Sequence, residues 1–229
     1  TAGVVFRPFH DPSKWDDVWD GAARTCSALV AHGAQHLVLI DSISPRRAPT
    51  AGRPAEAEQM SAAEWTAFVE RIRAVAKLGA DHGLTVSIHP HAAGFIDFEA
   101  EVERLLDEVD EGLLKICVDT GHHSYAGFDP VVFMRRHIHR VSYVHFKDID
   151  PAVKARAVAS RTGFYDACRE GIFCNLGKGD VDFSAVRTLL LQAGYSGWCT
   201  VEQDCDPAGP TSPLDDARAN HEFLSSIGF

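Results

Sequence analysis

The chain has 229 residues, 45% of them hydrophobic, with 32 acidic against 22 basic side chains and a formal net charge of -10. That size suits one sizeable core in a single domain over 1–229, since single α/β barrels commonly run to about 250 residues. The acidic balance and the lack of any Lys/Arg run argue against a nucleic-acid partner, and the apolar stretches fall well short of the roughly 20 residues that span a bilayer.

The segment 1–9 lacks the basic start of a signal peptide and reads as a strand. The six cysteines (Cys26, Cys117, Cys168, Cys174, Cys199, Cys205) are scattered, with no Cys-x-x-Cys pair. They predict free thiols in a reducing, cytoplasmic setting. Short apolar runs at 3–8, 36–41, 85–89, 113–119, 141–147 and 197–202 predict six strands. They are rich in Val, Ile and Leu with little alternation, as in parallel strands covered on both faces. Stretches of helical period lie between them. Asp11-Pro12 starts the first, and Ser61 with Glu64 forms a capping box for the second. Asp97 is the expected cap of a third, Asp129-Pro130 and Asp182-Phe183 start two more, and the last runs over 213–227. Strands alternating with helices predict βα units. Two long segments, 42–60 and 148–180, hold the remaining chain; the second contains one weak helix candidate at 151–168. Such loops follow strand C-termini and belong over an active-site face. The arginines of 42–60 are expected to meet substrate. Six strands do not close an eight-stranded barrel, so either two βα units are absent from this chain or the sheet is open.

Polar residues gather where the strands end. Ser87, His89 and His91 alternate along the third, and Asp119 and His122 follow the fourth. His145 and Lys147 end the fifth; Glu202 and Asp204 follow the sixth. Strand ends of a parallel β/α sheet share one rim, and mixed carboxylate and imidazole there suits a divalent metal. Each residue has a structural alternative: Asp119 caps a helix, His145 bonds backbone in the core. Glu202 is hardest to explain that way, because an apolar strand ending in a carboxylate needs a partner. His36, His137 and His139 read as surface or structural histidines, and Lys178 in Gly177-Lys178-Gly179-Asp180 does not fit a phosphate-binding loop.

Five segments then carry a resemblance: Ser87-Ile88-His89-Pro90-His91, Val118-Asp119-Thr120-Gly121-His122, Val144 to Pro151, Leu176 to Phe183, and Ala193 to Trp198 followed by Val201-Glu202-Gln203-Asp204. In this order they resemble the xylose-isomerase-like TIM barrels, the sugar phosphate isomerase/epimerase superfamily, and within it the inosose dehydratases. The resemblance implies a (β/α)8 TIM barrel whose strands three to eight are present here and whose first two βα units are not. It implies a divalent metal, Mn²⁺ or Co²⁺ ahead of Mg²⁺ or Zn²⁺, held by Asp119, His145 and Glu202. The superfamily's glutamate on strand five has no counterpart here; Ser87 or His89 falls at that place, and His89 is taken as the fourth ligand. An isolated six-strand sheet exposes its edges and should self-associate.

The implied chemistry is α-proton abstraction beside a carbonyl and elimination of a β-hydroxyl from a keto-cyclitol or keto-sugar. His91 or His89 is typed as base and His122 and Lys147 as acids, with Glu202 a ligand that doubles as base. One rival is a metal-dependent sugar isomerase/epimerase working through an enediolate. Another, of a different class, is a non-catalytic sugar-binding barrel.

Overall fold

A computed structural model describes residues 2–204 and 212–229; Cys205 lies outside them. The chain opens with β1 (Ala2–Arg7), α1 (Trp15–Ala31), β2 (His36–Asp41), α2 (Ala62–Asp81), β3 (Thr85–Ile88) and α3 (Glu99–Glu108). It continues with β4 (Lys115–Asp119), α4 (Thr120–Ala126), α5 (Pro130–His137), β5 (Val141–Phe146), β6 (Asp148–Ile149), α6 (Pro151–Ala159) and α7 (Phe164–Arg169). Then come β7 (Phe173–Cys174), α8 (Phe183–Gln192), β8 (Cys199–Val201) and α9 (Pro213–Ser226).

Six strands form one parallel sheet in the order β1-β2-β3-β4-β5-β8. The order never reverses. A doubly wound sheet has a switch point where it does, so this is barrel order, with β1 and β8 as the two edges. The outer face of the sheet packs on the helices through the main core, which includes Leu37, Leu39, Val86, Ile88, Ile116 and Val118. Val38, Ile40, Cys117 and Tyr143 form a separate small cluster joined by Ala2 on the inner face. All six predicted strands are present within a few residues of their expected ends. The five described cysteines are free, and no described helix is long and apolar enough to cross a membrane.

Helix starts follow local chemistry. The Ser61 hydroxyl accepts the Glu64 N–H and the Glu64 carboxylate accepts the Ser61 N–H at 2.8 Å, which completes the predicted capping box of α2. Asp129 caps α5 and Asp182 caps α8 as expected. Asp11 caps a single 3-10 turn, Pro12–Lys14, that leads into α1.

Asp97 does not cap α3. Its carboxylate turns back to accept the Ala93 N–H at 2.9 Å, while Glu101 accepts the N–H groups of Asp97 and Phe98. Burial pushes the Asp97 carboxyl up to about 7, and the adjacent Glu101 carboxylate adds to the rise. The unfolded chain ionises this group near 4. The native state therefore holds the extra proton between these values, so this contribution to stability is full below pH 4 and is lost as pH rises to about 7. Asparagine keeps the acceptor for Ala93 without the charge. Asp97→Asn is expected to unfold at higher urea than the wild type at pH 8, by a few kcal/mol at about 1.4 kcal/mol per pH unit. The gain should shrink toward pH 5; a difference independent of pH would remove Asp97 from this role.

The segment 148–180 is more ordered than its sequence suggests. The weak candidate at 151–168 resolves into α6 and α7, split at Arg161, which has φ 57°. β6 and β7 pair antiparallel. The Asp148 carboxylate accepts four backbone N–H groups, from Ile149, Gly177, Gly179 and Val181 at 2.9 to 3.1 Å. This explains Gly179 in the Gly-Lys-Gly-Asp run: a Cβ there would sit 2.2 Å from Asp148 Oδ1. The loop is built around a carboxylate rather than around a phosphate.

Candidate metal centre

Four strand ends bring the site together. β3 ends just before His89, β4 ends on Asp119, β5 carries His145, and Glu202 follows β8. The donor atoms of His89, Asp119, His145 and Glu202 all lie within 4.8 Å of one another. His89 Nε2 is 3.5 Å from Asp119 Oδ2, and His145 Nδ1 is 3.2 Å from Glu202 Oε1 and 3.9 Å from Asp119 Oδ2. His89, Asp119 and His145 are buried, while Glu202 is partly open to solvent.

Asp119 divides its labour. Oδ1 accepts the His122 N–H at 2.8 Å and caps α4, so the structural reading of this residue is correct for one oxygen. Oδ2 is buried with no hydrogen-bond partner, as are both ring nitrogens of His89 and Nδ1 of His145. Buried polar atoms are rarely unpaired, and here they converge. Two imidazoles and two carboxylates with free lone pairs fit a divalent transition-metal ion. Ser87 is engaged elsewhere, its hydroxyl 2.6 Å from that of Ser142.

A second group adjoins the first. His91, His122 and Asp204 also place donor atoms within 4.8 Å of one another. The His91 and His122 rings are 4.0 Å apart, and Lys147 stands between the two groups. Its ammonium lies 2.9 Å from Asp204 Oδ2, 3.1 Å from His122 Nε2, 3.4 Å from Glu202 Oε2 and 3.5 Å from Asp119 Oδ2. Burial opposes charge on Lys147, and the Asp119, Asp204 and Glu202 carboxylates outweigh it, which raises its pKa. Burial opposes ionisation of Asp119 too; Lys147, His122 and His89 outweigh that and hold its carboxyl well below the usual range. Burial likewise works against ionised Glu202, yet His145 and Lys147 bring it down to about 2. Burial takes His91 down to about 3 and His122 well below its usual value; the neighbouring histidines and Lys147 add to the effect, and Asp119 opposes it. Both are neutral imidazoles at physiological pH.

Every residue expected at the rim except Ser87 is thus in these two adjoining groups, with Lys147 between them. Asp204 carries more of this arrangement than its sequence position implied. Phe164 and Phe173 wall the site: Phe164 lies 5.8 Å from the His91 ring, and Phe173 lies 5.2 Å from His122 and 5.1 Å from Lys147 Nζ. Nothing in their local sequence pointed there. The arginines of 42–60 are a correction. Arg47 is buried on Glu101, Arg53 bonds the Thr162 carbonyl and Glu56, and Arg46 pairs with Glu58. Their guanidinium groups tie the loop down and do not meet the rim. His137 pairs with Glu103 and His139 with Glu111, as structural histidines.

A barrel-ordered parallel sheet with its polar cluster at the strand C-termini defines a β/α-barrel enzyme scaffold. The chain belongs to the xylose isomerase-like TIM barrel family, whose pattern it matches over residues 5–227. It is 35% identical over 201 residues to the rhizopine catabolism protein MocC of Rhizobium meliloti, covering 85% of this chain and 59% of that protein. It is 32% identical over 183 residues to the inosose dehydratase of Geobacillus kaustophilus (strain HTA426), covering 80% and 58%. The chain therefore spans under two thirds of the length of these relatives. Among solved structures, the IOLI protein with a bound zinc atom superposes with TM-score 0.73 at 10% identity, over 99% of this chain and 75% of that one.

Proposed function

We propose that this chain carries the site of a metal-dependent hydro-lyase that dehydrates a keto-cyclitol of the inosose type. The observation that carries the reading is the convergence of unpaired His89, Asp119 and His145 atoms with Glu202, beside a pair of neutral histidines. The likeness to an inosose dehydratase supports the substrate class. His89, Asp119, His145 and Glu202 are the proposed ligands, and their donor types suit Mn²⁺ or Co²⁺. When bound, such an ion supplies Lewis acidity toward a substrate carbonyl, which acidifies the neighbouring C–H.

The rest falls to the chain's own residues. The backbone of Ala92 separates the two histidines by role. His91 Nδ1 lies 2.8 Å from the Ala92 carbonyl, so it carries the ring proton and leaves Nε2 as a base. His122 Nδ1 accepts the Ala92 N–H at 3.2 Å, and its Nε2 lies 3.1 Å from the Lys147 ammonium, the protonated member of that pair. His91 takes the α-proton; Lys147, held beside His122, delivers a proton to the departing β-hydroxyl. Phe164 and Phe173 keep water from the reacting face.

Gly121 bears on this arrangement. A Cβ at that position would stand 2.6 Å from Lys147 Cγ. Gly121→Ala is expected to push Lys147 aside and lower kcat about 10- to 100-fold, the usual result of an ångström-scale misplacement, with metal content unchanged. Equal loss of metal and turnover would show that the alanine disturbs the ligands instead.

The reading is tested by stripping the protein, reloading Mn²⁺ and adding 2-keto-myo-inositol in deuterated water. Rising enone-type absorbance with solvent-deuterium uptake is expected. Exchange at the α-carbon of ketoses, without turnover of the cyclitol, would replace dehydration by isomerisation.

A further inference from the structure

The two neighbouring groups of potential ligands pose a question of stoichiometry. His91, His122 and Asp204 offer a second set of donors beside the first four. His122 Nε2 and Asp204 Oδ2 are 3.8 Å apart, a span that one divalent ion can bridge at bond lengths of about 2.1 Å. The Lys147 ammonium, however, lies 3.1 Å from one of these atoms and 2.9 Å from the other. An ion bridging them would come within about 3.3 Å of Nζ and would have to take both donor atoms that the ammonium already holds, so ion and ammonium compete for one place.

We propose that Lys147 is a built-in cation standing where a second divalent ion would otherwise bind, and that its ammonium restricts this centre to one metal. The inference rests on the metal-centre reading above. Three features of the structure agree with it. The ammonium lies 2.9 to 3.5 Å from three carboxylates, Asp119, Glu202 and Asp204, so the lysine bridges both groups as a shared metal would. Those three carboxylates, one ammonium and one divalent ion sum to electrical neutrality; a second divalent ion beside the ammonium would bring the partly buried centre to +2, against +1 for two ions with the ammonium removed. The ammonium is also held in place. The Lys147 stem lies against Gly121, where no side chain can fit, its Nζ sits over the Phe173 ring, and its N–H and C=O both bond the Thr120 hydroxyl. A side chain locked at both ends does not readily swing out for an incoming ion.

Removing the ammonium while keeping the stem should open the second place. Lys147→Met retains the packing against Gly121 and Phe173. A second ion would then draw on His91, His122 and Asp204, giving up the long Ala92 N–H contact to His122. Lys147→Arg keeps a cation there, and Asp204→Ala combined with Lys147→Met removes a ligand of the second place.

The experiment titrates Mn²⁺ into stripped protein and reads bound metal per chain by elemental analysis after desalting, with electron paramagnetic resonance of the same samples. The wild type and Lys147→Arg are expected to bind one ion, with the spectrum of an isolated Mn²⁺. Lys147→Met is expected to bind two, with the spectrum of a coupled pair, and Lys147→Met with Asp204→Ala one again. Two ions in the wild type, or one in a folded Lys147→Met, would overturn this inference and leave the first site standing. No ion in the wild type would overturn both readings. Should Lys147→Met fail to fold, Lys147→Gln, which also removes the ammonium, takes its place and is read in the same way.

Discussion

Asp119→Asn is expected to lower divalent-metal affinity at least 100-fold and to abolish turnover, with the fold intact. The asparagine oxygen can still accept the His122 N–H that now reaches Oδ1 at 2.8 Å, so α4 keeps its cap. The amide nitrogen replaces Oδ2, the buried oxygen with no hydrogen-bond partner. It cannot ligate, and it turns donors toward Lys147 and His89. Supporting partners outside the ligand set alone cost 10- to 100-fold in affinity when mutated; a lost ligand in a buried set costs more. Metal content after dialysis, read beside a thermal melt, checks the prediction. Asp119→Ala should add a stability loss of about 1 kcal/mol from the missing cap. Unchanged metal content in Asp119→Asn would take this residue out of the ligand set.

Glu101→Ala is expected to cost about 3–5 kcal/mol of stability, as breaking a buried ion pair by removing one partner does. Arg47 is 1% exposed and forks onto Glu101 through Nη1 at 2.7 Å and Nη2 at 3.0 Å. It also stacks on Phe95 and Phe98. Without Glu101 the guanidinium stays buried and unpaired, and the Asp97 and Phe98 N–H groups lose their acceptor. Domain stabilities are about 5–15 kcal/mol in total, so the variant stands near the threshold for folding. Urea unfolding at neutral pH measures it. Glu101→Leu with Arg47→Leu should recover much of the loss, because it removes both charges. A single-variant cost below about 1 kcal/mol would mean that water reaches the pair.

The strands were legible because parallel strands buried on both faces read as unbroken Val/Ile/Leu runs, and 36–41 and 141–147 are of that kind. The rim was legible because polar residues at the ends of such runs have nowhere else to point. Asp119, His145 and Glu202 meet for that reason, and His89 joins them where the sequence alone left Ser87 open. Capping residues were read less well. Ser61 acts as its sequence suggests, but Asp97 is drawn to Ala93 because Glu101 already serves the start of α3. Side-chain identity does not say which of two carboxylates wins a helix end. The arginines of 42–60 were misread for a similar reason: charge in a loop over a site suggests substrate, and only the tertiary position of Glu101 shows otherwise. The β6/β7 ribbon is two residues per strand, below any periodicity a sequence can display. Phe164 and Phe173 reach the site from that segment, so their role was hidden with it.

The edge position of β8 bears on how the molecule assembles. β8 is three residues long and, among the described residues, pairs on one side only, with β5. The intervening chain includes α6, α7, β7 and α8. Glu202 comes just after it, while His89, Asp119 and His145 come from strands paired earlier in the chain. On a growing polypeptide the fourth donor is synthesised after the other three. A cation that needs all four would bind only after β8 has docked, and would stabilise that docked state by mass action. Metal capture would then fasten β8, which carries Glu202 at its end and pairs with β5 alone among the described strands, to the rest of the sheet.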